Sequence, residues 1–427
     1  MRVVHLSMYQ TVGGAAVAAG RLNQALQNAG AGSTLLFGAS TYQDRGRSGR
    51  DERLAQNSML ANGMAFARFV AERLYFLPHE RDKSVRFGFS PARFGVNLTY
   101  NTFVRQADVI QLHWINFGFL SIDSLHSLFG LGKPVVWTMH DMWPFTGGCH
   151  YSHGCEHYVT HCRSCPYLRR PERERDLSYQ TFERKKTAFA QALANRTLTL
   201  VSPSRWLAGL AERSALASRF PTHVIANPLN TERFQPLDGA AIRRQWNLPP
   251  DKPLILFGSF NTTDPRKGFS YFADALHRLK PRLNGLEPEI LVFGKGAVPV
   301  GLPFPVRQLG VLPTEAQVAA AYNAADVLVV PSLEDNLPNT IAESMACGTP
   351  VVAFRTGGIP EMIDHRQTGY LADARSAEGL ADGLHWLLTH PDPDAIRENA
   401  RQAADARYAE ATVAGQYLAL YSQLIVS

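Results

Sequence analysis

The sequence predicts an α/β chain of two doubly wound parallel-sheet domains facing one another across a cleft. Three observations predict it. The 427 residues exceed one ordinary domain core, so two domains of about 200 residues are expected. Short apolar runs alternate with helix-patterned stretches, the order of a parallel sheet with crossover helices. A Pro- and Asn-rich break at 221–236, PTHVIANPLNTERFQP, divides that alternation in two.

The first series opens with VVHLS (3–7), an apolar strand, and then a helix pattern over 15–30 that ends at Gly30. STLLFGAS (33–40), DVIQLHW (108–114), KPVVWTMHD (133–141) and LTLVSPS (198–204) read as further strands. The second series runs PLILFGSF (253–260), a helix through Lys280, EILVFGKG (289–296), VRQLG (306–310), DVLVVPS (326–332) and PVVAF (350–354). The expected domains are therefore 1–222, carrying a Cys-rich loop at 146–166, and 223–405. A last helix at 406–427 has Val413, Tyr417, Tyr421 and Leu424 on one face, which can pack on either domain, back on the N-terminal one included. Two such sheets put the carboxyl ends of their strands toward the cleft, where ligands of doubly wound sheets bind.

Composition narrows the class. With 45% hydrophobic and 19% charged residues the chain is globular, and no run of 18 apolar residues predicts a membrane span. The N-terminus, MRVVHLSMYQ, lacks the apolar stretch of a signal peptide, so a cytoplasmic protein is expected. The net charge of +6 suits an anionic partner. No nucleic-acid-binding motif is present, so nucleic acid is not expected. Residues 61–94 interleave Phe66, Phe69, Tyr75, Phe76, Phe87, Phe89 and Phe94 with Arg68, Arg73, Arg81, Lys83, Arg86 and Arg93. Those aromatics either pack into the N-terminal core or, with the basic residues, rest on an anionic membrane surface.

The chemistry concentrates in PSLEDNLPNTIAESMACGTPVVAF (331–354). Pro331 and Ser332 end a buried strand, and Pro338 delays the next helix. Asn339 or Thr340 can cap that helix, placing Glu343 in its first turn. The backbone N–H groups at the helix start favour a phosphate or another anion. Glu343 either complements the helix dipole or accepts hydrogen bonds from a ribose diol, as acids do in other doubly wound nucleotide sites.

Asp335, seven intervening residues, Glu343 and then SMACGTPVVAF resemble the nucleotide-sugar signature of the retaining glycosyltransferases of family 4, which have the GT-B fold. The family pattern is E-x7-E, so an Asp stands here where the family has the first Glu. WTMHDMWPFTGGCHY and DNLPNTIAES resemble the colanic-acid, exopolysaccharide branch. The resemblance implies that Glu343 holds the ribose hydroxyls and that Asp335, with Glu334 beside it, lies near the donor sugar. It also implies that Lys267, before Gly268, meets the diphosphate. The family often has an Arg after the Gly ending the preceding strand; Ser259 follows Gly258 here, and Arg266 is expected to compensate. Cations at a helix start oppose the dipole, which favours a functional reading of Arg266 and Lys267. Gly357 and Gly358, after the strand PVVAF, are placed near the donor. His140, at a strand end with Asp141, resembles the family's histidine on the donor sugar.

Gly13 and Gly14 precede the first long helix and form either a plain turn or a sugar- or phosphate-facing helix start. They do not form a G-x-G-x-x-G fingerprint, which argues against a dinucleotide enzyme. Asp392-Pro-Asp394, the one D-x-D triplet weighed as a metal motif, reads as a turn, so no catalytic metal is expected.

Cys149, Cys155, Cys162 and Cys165 stand in GGCHYSHGCEHYVTHCRSCP, spaced C-x5-C-x6-C-x2-C. In a cytoplasmic protein, clustered cysteines point to metal, so a structural zinc is expected ahead of two disulfides or plain thiols. Cys347 is expected to be a core residue.

The sequence thus predicts a glycosyltransferase. It would move a hexose-type sugar, with retention, from a nucleotide diphosphate sugar to a hydroxyl of a growing, lipid-linked glycan. No catalytic cofactor is expected. Peripheral contact with the inner membrane face is part of this reading. A transferase for a small soluble acceptor and a non-catalytic nucleotide-sugar-binding protein are the alternatives.

Overall fold

Eight residues, Arg2–Tyr9 (β1), form the first strand, buried through all its inner positions because sheet neighbours flank it on both sides. The computed structural model describes residues 1–39, 52–53, 59–298 and 300–426. Ser40 and Ser427, which end two of the expected elements, lie outside them. The chain divides into two compact units, Met1–Ala226 with Ala414–Ser427, and Asn227–Val413.

The first unit carries β1, Gly32–Ala39 (β2), Glu52–Arg53 (β3), Val109–Leu112 (β4), Val135–Thr138 (β5), Leu198–Ser202 (β6) and Thr222–Val224 (β7). Their order is β3-β2-β1-β4-β5-β6-β7, with parallel pairing. The second unit carries Leu254–Asn261 (β8), Glu289–Lys295 (β9), Val306–Gly310 (β10), Val327–Val330 (β11), Val351–Phe354 (β12) and Gly369–Ala372 (β13). These order as β10-β9-β8-β11-β12-β13, again parallel. Each unit therefore has the Rossmann strand order, and its sheet reverses direction beside its own first strand. Ligands of such sheets bind beyond the strand carboxyl ends at that switch point, here β1/β4 and β8/β11.

Burial on both faces explains why β11 and β12 read as unbroken apolar runs and why β4, β5 and β6 are mainly apolar, with Gln111, Thr138, Thr199 and Ser202 as their buried polar residues. In the first unit Trp137, Trp143, Phe145, Phe182 and Phe189 fill one core. In the second, Phe257, Phe269, Phe272 and Phe354 fill another. The helix Glu410–Val426 buries Val413, Tyr417 and Tyr421. Tyr421 Oη donates to Gln111 Oε1 at 2.7 Å, and Tyr417 Oη lies 2.8 Å from Thr138 Oγ1, so its C-terminal part belongs to the first unit.

Three strands differ from the sequence expectation. β3 is two residues long, and β13 is a short GYLA edge without a long apolar run. β7 lies inside the stretch expected as a linker, and Leu229 and Phe234 in that stretch are buried. Pro and Asn there mark turns rather than a solvated tether. Residues 61–94 are mixed: Phe76 and Phe89 stack at 5.0 Å in a small core, whereas Phe66 and Phe87 are exposed. Asp392 is the N-cap of the helix Pro393–Tyr408, accepting from Ala395 N, rather than a free turn.

Candidate active site

At the β8/β11 switch point two loops meet. After β8, Asp264 Oδ1 accepts from Arg266 N at 3.0 Å and shapes the single turn Pro265–Lys267. Gly268 follows at φ 70°, and a Cβ there would stand 1.9 Å from Pro331 O, so only glycine lets this loop lie against the end of β11. Leu333 N donates to Arg266 O at 2.8 Å and ties the loops together.

That packing brings the expected charged residues into one cluster. Lys267 Nζ donates to Asp335 Oδ2 at 2.5 Å, and Arg266 Nη1 lies 3.4 Å from the same oxygen. Arg266 Nη1 also donates to Glu334 O at 2.9 Å. Ser332 Oγ donates to Asp335 Oδ2 at 3.2 Å. Burial works against the Asp335 charge, but Lys267 and Arg266 and the bonds from Lys267 and Ser332 outweigh it, holding this carboxyl below its usual range. The shorter Asp is thus an ionised partner of both cations. Glu334 contributes its backbone carbonyl to Arg266.

Gly357 closes the cluster from the loop after β12. Its φ is 57°, and a Cβ there would stand 1.8 Å from Asp335 O. Gly358 N donates to Asp335 O at 3.1 Å. The next helix runs Asn339–Ala346 and differs from the sequence expectation in its start. Pro338, not Asn339 or Thr340, occupies the N-cap position and makes no side-chain cap. Asn339 Oδ1 instead accepts from Asn227 Nδ2 at 3.2 Å. Glu343 therefore stands in the second turn, where the dipole contributes little. It is buried, and its Oε2 accepts from Tyr322 Oη at 2.9 Å. Simple dipole complementation no longer accounts for an acid there. Ser259, where the resemblance implies an Arg, is buried with its Oγ unpartnered.

In the first unit, Gly13 has φ 85° and stands at the N-cap of the helix Gly14–Asn28, next to the β1/β4 switch point. His140 lies two residues beyond β5, and its Nε2 is 3.1 Å from His113 Nδ1. Asp141 is oriented by three donors: His150 Nδ1 at 2.7 Å, Trp114 Nε1 at 3.0 Å and Trp143 N at 2.9 Å. Burial alone would raise the Asp141 carboxyl, but His150 and these bonds hold it below its usual range.

The sequence expectation missed three features here. His5, His113 and Lys185 are buried; the two histidines stood inside apolar strand patterns, which was the available signal, whereas Lys185 stands in the charged run ERKK and gave none. Lys185 Nζ donates to Trp143 O and Thr146 O and lies 3.4 Å from the Trp143 ring centroid. Burial draws its ammonium down to about 7.

Cys149, Cys155, Cys162 and Cys165 all line one cavity of about 20 Å³ and form no disulfide. Gly147 N donates to Cys162 Sγ at 3.0 Å. Burial pushes the Cys149 thiol up to about 12 and Cys162 and Cys165 higher still. Three interleaved histidines point elsewhere: His150 to Asp141, His157 to Arg163 O and His161 to Glu183. Among the described residues, no group of three or more His, Cys, Asp or Glu is placed to hold a metal ion, so the zinc expectation gains no support from the side-chain geometry. Cys347 is buried, as a core residue would be.

Two Rossmann-like domains, the second with cations and acids gathered at its switch point, have the architecture of the GT-B fold. Residues 12–233 match Glycosyltransferase Family 4, and residues 251–390 match Glycosyl transferases group 1. The chain belongs to glycosyltransferase family 4. Its relatives include the D-inositol 3-phosphate glycosyltransferases of Corynebacterium jeikeium, 26% identical over 64% of this chain and 65% of that one, and of Streptomyces bingchenggensis, 33% over 39% and 40%. The match thus spans less than two thirds of the length of either relative. Among solved structures, sucrose-phosphate synthase from Thermosynechococcus elongatus superposes with TM-score 0.64 at 19% identity, covering 100% of both chains. Anabaena Alr3699/HepE in complex with UDP and glucose does so with TM-score 0.64 at 17% identity, covering 99% of both. At these identities the likeness shows the fold alone.

Proposed function

We propose that this chain transfers a hexose-type sugar from a nucleotide diphosphate sugar to a hydroxyl of a growing, lipid-linked glycan, with retention. The observation that carries the reading is the Lys267–Arg266–Asp335 cluster at the β8/β11 switch point. A departing nucleotide diphosphate gathers negative charge on its oxygens, and fixed cations there stabilise the transition state. Lys267 and Arg266 take the diphosphate, relieved of Asp335 as the phosphate oxygens replace its carboxylate. Asp335, freed, turns to a donor-sugar hydroxyl, and Glu343 accepts from the ribose. By the family resemblance, Asn339, Thr340, Gly357 and Gly358 of the second unit serve the donor, and in the first unit Gly13, Gly14 and His140 are read as facing a sugar or phosphate. The leaving phosphate takes the acceptor proton. Binding of UDP and glucose by the Anabaena structure is in keeping with such a donor.

A lipid-linked acceptor is supported by the surface of the helix Met59–Phe76 and the segment after it. Phe66 and Leu74 are 67% and 61% exposed, with Leu77 and Phe87 also exposed beside Arg81 and Lys83. Such a surface suits an anionic membrane at the cytoplasmic face. Among the described residues no helix is long and apolar enough to cross a membrane. A small soluble acceptor is the second reading, favoured by the relatives' description as inositol 3-phosphate glycosyltransferases. Vesicle binding that is lost in Phe66→Ser with Leu74→Ser supports the first; none in the wild type supports the second. A structural zinc remains a proposal that rests on the clustering of the four cysteines in the sequence.

The test is a panel of nucleotide sugars, following nucleotide release by the wild type and by Glu343→Gln. Release from one donor, lost in the variant, is the expected result. Absence of both release and calorimetric binding across the panel overturns the proposal, and binding without release in the presence of lipid-linked acceptors points to a non-catalytic binding protein.

A further inference from the structure

A chain of hydrogen bonds crosses the first sheet and reaches His140. It runs through Asn23, Ser33 on β2, His5 on β1 and His113 after β4 to His140 after β5, so it steps across four adjacent strands. Ser33 Oγ lies 2.7 Å from Asn23 Oδ1 and 3.0 Å from His5 Nε2. His5 Nδ1 lies 3.0 Å from His113 Nε2, and His113 Nδ1 lies 3.1 Å from His140 Nε2. Consecutive ring centroids lie 5.3 Å apart with planes 17° and 24° from parallel, so the rings meet edge to edge along their hydrogen bonds. Asn23, Ser33, His5 and His113 are all buried.

The chain has a direction. Ser33 has one hydroxyl hydrogen and gives it to Asn23 Oδ1, so at His5 it can only accept. His5 then carries its proton on Nε2 and offers a lone pair at Nδ1. His113 must fill that lone pair from its own Nε2–H, and His140 must do the same for His113. Burial keeps the rings neutral: it lowers His5 to about 3, His140 to about 4 and His113 well below its ordinary value. A neutral imidazole has one proton, so each assignment forces the next.

We propose that Asn23, Ser33, His5 and His113 are positioning residues that fix His140 as the Nε2–H tautomer. In that form Nδ1 of His140 accepts from a sugar hydroxyl and does not donate. The chain orients the ring as a carboxylate or carbonyl orients a metal-binding histidine, through the nitrogen that faces away from the work. This consequence rests on the reading that His140 contacts the donor sugar; the tautomer itself does not.

The experiment is long-range proton–nitrogen NMR on the full chain with labelled histidine, His140→Gln assigning the His140 signals. Nε2-protonated patterns for His5, His113 and His140 at neutral pH are expected. An Nδ1-protonated or averaged His140 overturns the proposal. Ser33→Ala and His113→Leu should bring the second tautomer into view at His140. His113→Gln, which can accept from His140 through Oε1 and donate to His5 through Nε2, should restore the wild-type pattern. A His140 pattern unchanged in Ser33→Ala and His113→Leu also overturns it. Where the tautomer shifts, kcat for donor hydrolysis should fall about tenfold, the effect usual for an orienting partner of a site histidine, with nucleoside diphosphate binding unchanged. A shifted tautomer with unaltered hydrolysis leaves the chain in place and removes His140 from the sugar instead.

Discussion

Lys267→Ala separates a structural role for the cation cluster from a catalytic one. The substitution removes the 2.5 Å bond to Asp335 Oδ2. It does not leave that carboxylate alone, because Arg266 stays at 3.4 Å and Ser332 Oγ at 3.2 Å. Losing one partner of a fully buried ion pair costs about 3–5 kcal/mol. Here the Lys267 side chain is 23% exposed and that of Asp335 is 10% exposed, so solvent and Arg266 take up part of the loss. A cost of about 1–2 kcal/mol follows, or roughly 2–8 °C in Tm for a domain of this size. Removing a fixed charge from developing negative charge costs more, about 3–4 kcal/mol of transition-state stabilisation, or roughly 10²–10³ in kcat. Thermal unfolding and donor hydrolysis, measured on the same preparation, compare the two. Turnover within threefold of the wild type, with Tm lowered as expected, would refute the catalytic assignment and leave Lys267 a structural partner of Asp335.

Glu343→Gln keeps a hydrogen-bond acceptor for Tyr322 Oη and so should leave Tm within about 2 °C, while weakening nucleotide binding about tenfold by calorimetry. Gly357→Ala forces a Cβ to 1.8 Å from Asp335 O at φ 57°, so loss of donor binding together with a lowered Tm is expected; wild-type binding would show that the loop has room to move. The buried histidines set an acid limb of stability. Their native pKa values are lowered, so the unfolded chain takes protons first as pH falls below about 6.5. Stability from this source is therefore present above that pH and lost toward pH 4, at up to about 1.4 kcal/mol per pH unit for each histidine. His113→Gln should flatten the limb in denaturant titrations, and an equally steep limb would contradict its neutral burial. For the cysteine cavity, about one zinc per chain by elemental analysis, with Tm lowered on chelation, is the expected outcome; metal-free protein of undiminished Tm returns the four residues to plain thiols.

Periodicity, length and turn residues carried most of the fold. A strand buried on both faces is mainly apolar, so β4, β5, β6, β11 and β12 were legible from sequence alone. Edge elements were not: β3 and β13 have few apolar neighbours to satisfy, and β7 is hidden among turn residues. The spacing from Asp335 to Glu343 and the Arg266-Lys267-Gly268 step identified one half of the site by chain position. Only tertiary structure joined them. Lys267 and Asp335 are 68 residues apart, and their 2.5 Å contact exists because Gly268 and Gly357 let three loops close over one switch point. The same limit hid the histidine chain. His5 and His113 are 108 residues apart, and nothing local to either marks the other. Parallel strand order places them side by side, and burial, which only the folded core supplies, keeps them neutral and makes their bonds directional.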